Sequence, residues 1–86
     1  MHDRNNKFKS VMTVVDLAAL ARDPAAHIRQ QVAIHENIST ETLKTLALDL
    51  SLDVRLGVAC DHSTPIETLL VLMTDNDPRV TRCAEA

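Results

Sequence analysis

Residues Leu43 to Thr68 read LKTLALDLSLDVRLGVACDHSTPIET, and the 26 residues before them, Leu17 to Thr42, read LAALARDPAAHIRQQVAIHENISTET. Set one above the other without gaps, they agree at Leu17/Leu43, Leu20/Leu46, Ala21/Ala47, Asp23/Asp49, Arg29/Arg55, Val32/Val58, Ala33/Ala59, Glu41/Glu67 and Thr42/Thr68. Ordinary composition would give roughly two such matches. Nine mark an internal repeat, a signal that outranks local secondary-structure patterns. The offset continues: Leu69 to Ala86, LLVLMTDNDPRVTRCAEA, keeps Leu69, Leu72 and Asp75 and puts Val80 beneath Ile28 and Val54. It departs at Met73, where the other copies have alanine, and at Thr81, where they have arginine.

Each copy predicts two short helices. Leu43, Leu46 and Ala47 stand at i, i+3 and i+4, one helical stripe, as do Leu17, Leu20, Ala21 and Leu69, Leu72, Met73. In the second helix, Val54 and Val58 are four apart with Ala59 beside them, and Ile28, Val32 and Ala33 repeat that spacing. Thr64-Pro65-Ile66-Glu67 predicts an N-cap threonine, proline at the first helical position and a glutamate placed for a capping box. Asp77-Pro78 opens the last helix in the same way, with Ser51 at the equivalent position one copy earlier. Asp23, Asp49 and Asp75 fall in the turn between paired helices, where a short side chain accepts from exposed backbone N–H groups.

The predicted fold is all-α: a short right-handed α-solenoid of three antiparallel helix-pair repeats starting at residues 17, 43 and 69. A single pair cannot bury its own apolar stripe, whereas stacked pairs can. The organisation is a mobile basic arm over residues 1–12 followed by one helical-repeat domain over 13–86.

Composition suits thin helix layers. Apolar residues make up 45% of the 86, yet Phe8 is the only aromatic, so the core rests on many small aliphatic contacts. Gly57 is the only glycine, which argues against phosphate-cradling loops and dinucleotide folds. Net charge is −3; the arm holds Arg4, Lys7 and Lys9 against Asp3, a balance of +2, so the remainder carries −5. An acidic body is a poor match for a phosphate backbone. Two cysteines, Cys60 and Cys83, and the absence of a signal-peptide pattern or membrane-length apolar run predict a cytoplasmic protein with free thiols and no membrane association.

Leu43, Leu46, Ala47, Asp49, Val54, Arg55, Val58, Ala59, Thr64, Pro65, Glu67 and Leu69 together resemble the leucine-rich repeat variant family, a bacterial relative of HEAT-like helical repeats. The likeness covers about Leu17 to Ala84. It implies a right-handed superhelix of short helices, with one helix type open to a 3₁₀ form. Some members of that family carry an iron–sulfur cluster on cysteines preceding the repeats; with no cysteine before Cys60, that cluster is not implied.

Each candidate chemistry is outweighed by a structural alternative, with an enzyme or a metal-binding protein left as the less favoured readings. The recurrent Asp23/Asp49 and Arg29/Arg55 read as a packing device, each aspartate capping a turn and each arginine pairing with an aspartate across the layer. Cys60-Asp61-His62 with Cys83 matches no compact zinc spacing, and Cys60 takes the place of Ile34. His27, His35 and His62 occupy three different repeat positions, and no nucleophile has a recognisable context. The expectation is a non-enzyme with no cofactor and no metal.

The informative departures are apolar. Leu48, Leu50, Leu52 and Leu56 replace Arg22, Pro24, Ala26 and Gln30, while Leu70 and Val71 replace Ala18 and Ala19. They either close the core at the end of the stack or form an interface, because solenoid ends normally carry a polar cap. On the second reading Leu48, Leu56, Leu70 and Val71 bind a partner. The chain is then a protein–protein interaction module, an adaptor or accessory subunit, with a homodimer through its C-terminal end. The alternative is a HEAT-like nucleic-acid-binding module, which the charge balance disfavours.

Overall fold

A computed structural model describes residues 13–85. The basic arm of residues 1–12, with Arg4, Lys7 and Lys9, lies outside the described residues, as does Ala86. The described residues form α1 (Val14–Leu20), α2 (Ala26–Ala33), α3 (Thr40–Leu46), α4 (Leu52–Ala59), α5 (Ile66–Leu72) and α6 (Pro78–Glu85), with no strand among them. The odd-numbered helices begin at residues 14, 40 and 66 and the even-numbered ones at 26, 52 and 78, so both series keep the 26-residue spacing of the sequence. All six are α-helices, so the 3₁₀ form is not seen among the described residues.

The even-numbered helices carry the packing. α4 lies against both α2 and α6. By contrast α1, α3 and α5 pack chiefly on their even-numbered neighbours and little on one another. Small residues allow the close approach of α2 and α4. An ideal Cβ added at the buried Gly57 would sit 3.2 Å from Ala33 Cβ and 3.5 Å from Ile34 Cγ2. Leu17, Leu43, Leu46, Leu72, Val32, Val54, Val58 and Val80 are the large, fully buried side chains. Nothing bulkier than leucine is needed, as the aliphatic composition requires.

Two expectations about the stripes need correction. Met73 is 40% exposed, although its counterparts Ala21 and Ala47 are buried. Ile28 is only half-buried, whereas Val54 and Val80 are fully enclosed. The N-cap of α5 also differs. Pro65 is the N-cap and Ile66 the first helical residue. The Thr64 hydroxyl donates instead to the Val58 carbonyl at 2.7 Å, satisfying a buried acceptor at the end of α4. The capping box occurs on α1, between Thr13 and Asp16. Ser39 caps α3 by accepting from Thr42 N–H.

The turn aspartates behave as the repeat predicts. Asp23, Asp49 and Asp75 each accept, on Oδ1, the N–H two residues on, from Ala25, Ser51 and Asp77. Arg29 donates from Nη1 to the carbonyls of Asp23 and Pro24 in its own turn and from Nε to Asp49 Oδ2 in the next. Arg55 repeats this on the Asp49 and Leu50 carbonyls and on Asp75. Each arginine therefore closes its own turn and ties it to the following one.

Candidate interaction surface

Because α3 and α5 barely touch, a cleft of about 470 Å³ opens between them. From α3 and the turn after it come Thr40, Lys44, Ala47 and Leu48; from α5 come Glu67, Thr68 and Val71. A second hollow of about 350 Å³ continues past Leu48 and Val71 towards Leu50, Thr74 and Asn76. The two share Ala47, Leu48 and Val71 in their walls, so they adjoin one another along α3, α5 and the turn that follows α3, and together they form the candidate groove. Two of its large apolar wall residues depart from the repeat. Leu48 stands where the first copy has Arg22, and Val71 where the second has Thr45.

Three of the four expected partner-binding residues reach the surface: Leu48, Leu70 and Val71 are 72%, 56% and 47% exposed. Leu56 does not join them. It is half-buried and packs against the core, because α4 has a neighbouring helix on each side. Leu52 packs the same way, while Leu50 is almost wholly exposed.

On the opposite flank of α5 the sequence reading singled out Leu70 as partner-binding but neither Ile66 nor Met73. Thr40, Lys44 and Ala47 face the groove from α3. One repeat later the same positions hold Ile66, Leu70 and Met73, spaced i, i+4 and i+7 on one helical face. All three are substantially exposed. Aligning Ile66 with Thr40 and Met73 with Ala47 supplies the signal: a polar or small residue has become a large apolar one. Among the described residues, six of the nine large exposed apolar side chains, Leu48, Leu50, Ile66, Leu70, Val71 and Met73, thus border α5 or the turn before α4.

Charge in and around the groove is modest. Glu41, Lys44 and Glu67 are its charged lining residues in the cleft between α3 and α5. Burial pushes the Asp49 carboxyl up, but the Arg29 guanidinium and the Ser51 N–H outweigh it, and the group ends below the usual carboxylate range. Asp75 follows the same pattern with the Asp77 N–H and Arg55. Both carboxylates are therefore engaged internally. His35 Nδ1 accepts the Asn37 N–H. No group of three His, Cys, Asp or Glu side chains converges among the described residues, and no described helix is long and apolar enough to cross a membrane.

No protein-family model matches the chain, and no curated protein or solved structure matches it either.

Proposed function

We propose that the chain is a short α-solenoid of the leucine-rich repeat variant type and works as a non-catalytic protein–protein interaction module in the cytoplasm. Equal 26-residue helix spacing and the two Arg–Asp ties between successive turns support the solenoid. The observation that carries the function is the concentration of exposed apolar side chains on both flanks of α5. A surface helix normally turns its apolar stripe inward and leaves polar residues outside. In α5 the residues outside include Ile66, Leu70 and Val71. An adaptor or accessory subunit would seat a partner's apolar side chains in the α3–α5 groove. The outer flank, with Ile66, Leu70 and Met73, would join two copies.

A tagged pull-down with and without nuclease tests this reading, run in parallel with Leu48→Glu and Val71→Glu. Both side chains are exposed, so the variants should fold. The expected result is a stoichiometric protein that survives nuclease and is lost from both variants. Capture abolished by nuclease would replace this reading with nucleic-acid binding. Capture unaffected by either substitution would remove the groove from it.

A further inference from the structure

We propose that Cys60 and Cys83 form a thiol-pair site that a low-molecular-weight disulfide oxidises to an intramolecular disulfide between α4 and α6. Helix spacing sets up the pair. Cys83 lies 26 residues after Gly57, and Cys60 lies 26 residues after Ile34. An ideal Cβ at Gly57 on α4 comes within 3.5 Å of Ile34 Cγ2 at the end of α2. α6 packs on α4 as α4 packs on α2. In the later pair a real Cβ, that of Cys83, takes the place of the ideal one, and the Cys60 sulfur takes the place of an isoleucine γ-carbon. Disulfides need Cβ atoms about 3.5–4.5 Å apart, a range this juxtaposition brings within reach.

The surroundings fit the chemistry. Cys60 is the exposed C-cap of α4, open to a small oxidant. Cys83 is half-buried in α6 and packs against the core, which holds its side chain near α4. Contact with the Cys83 thiol pushes the Cys60 thiol up to about 11. The Cys60 thiol is thus held protonated at neutral pH, and the nearness of the Cys83 thiol favours the bond.

The step balances without any other component. One protein thiolate attacks the oxidant RSSR, forming a mixed disulfide and releasing RS⁻, which takes up the proton lost from that thiol. The second protein thiol loses its proton and attacks the first protein sulfur, releasing a second RSH. Two protein thiols are oxidised and one external disulfide is reduced to two thiols. The product ties the last turn of α6 to the end of α4, and so steadies the helix that supports α5.

The test incubates the full chain with oxidised glutathione, then alkylates it and measures intact mass and Tm. The expected species has lost one pair of hydrogen atoms, resists alkylation at both cysteines and melts roughly 10 °C higher. Dithiothreitol should reverse all three changes. Formation should accelerate from pH 7 towards pH 10, as a high-pKa thiol requires. Cys60→Ser and Cys83→Ser should each abolish the tie, the remaining cysteine accepting only a glutathione adduct. A persistent adduct on the unaltered chain, with its other thiol still open to alkylation, would overturn the proposal. So would disulfide-linked dimers in place of the internal bond, or two unmodified thiols after prolonged incubation.

Discussion

Arg29 Nε lies 2.8 Å from Asp49 Oδ2, and Arg55 Nε lies 2.7 Å from Asp75 Oδ2, so one interaction joins successive turns twice. Both aspartate side chains are only 10% exposed, and the arginines little more. Position 81, where a third arginine would continue the series, is threonine, and its hydroxyl donates to Pro78 within its own helix.

Arg55→Ala should be the most damaging single change at a polar residue. It strips Asp75 of its cation and leaves the Asp49 and Leu50 carbonyls without their donor. Breaking a largely buried pair on one side leaves an uncompensated charge. A loss of about 2 kcal/mol, and a Tm lower by roughly 10 °C, should follow. Arg55→Lys should recover little, because an ammonium cannot reproduce the planar fork. Thermal melts of both variants decide this; an unchanged Tm in Arg55→Ala would mean that the tie is ornamental.

Acid should weaken the fold through the same carboxylates. Arg79 and its own N–H hold Asp77 down at about 2, and Asp16, Asp49 and Asp75 also titrate below their ordinary values. A carboxyl with a depressed folded pKa contributes stability that is fully present above its unfolded pKa, about 4. That stability is lost as pH falls through the folded value. Urea midpoints should therefore be flat between pH 7 and pH 5 and fall from about pH 4 towards pH 2. Asp49→Asn should be less stable at pH 7 and show a shallower acid loss. A midpoint that stayed level down to pH 2 would contradict the linkage.

The repeat made the helices, the turn aspartates and the arginine ties legible, because each recurs and recurrence is visible in a single chain. What was not legible depends on which helix faces which. Leu48 and Leu56 are equally apolar departures, yet α4 is enclosed by α2 and α6 while the turn after α3 is not, so one leucine packs and the other does not. Met73 occupies a core position of the repeat, but among the described residues nothing covers that flank of α5. Thr64 has a capping sequence around it, and its hydroxyl is drawn instead to the Val58 carbonyl, an acceptor that only the folded chain places nearby.

Gly57 should tolerate alanine and reject anything larger. Alanine in a helix interior gains about 1 kcal/mol over glycine. Against this, its methyl would press on Ala33 Cβ at 3.2 Å, where a helix rather than a flexible side chain must yield. The two effects are of similar size, so Gly57→Ala should move Tm by only a few degrees. Gly57→Val adds two further carbons to the α2–α4 contact and should cost about 2 kcal/mol or more by overpacking. Urea denaturation of both variants separates these cases; a stable Gly57→Val would mean that the contact is looser than its geometry indicates.

Self-association through the outer flank of α5 should be weak. The molecule extends 42 Å along its longest axis and 21 × 19 Å across it. An interface confined to an end of that cross-section offers roughly 500 Å² per copy, near the lower limit for a specific complex. Ile66, Leu70 and Met73 would form its apolar centre. Sedimentation equilibrium should therefore show a monomer at low micromolar concentration and a dimer growing in at about 100 µM or above. Leu70→Glu puts a charge on each side of a two-fold contact, and should hold the chain monomeric throughout with its melting curve unchanged. A chain that stayed monomeric at millimolar concentration would leave this flank without a self-association role. A tight dimer unaffected by Leu70→Glu would place the contact elsewhere, the groove lined by Leu48 and Val71 being the next surface to test.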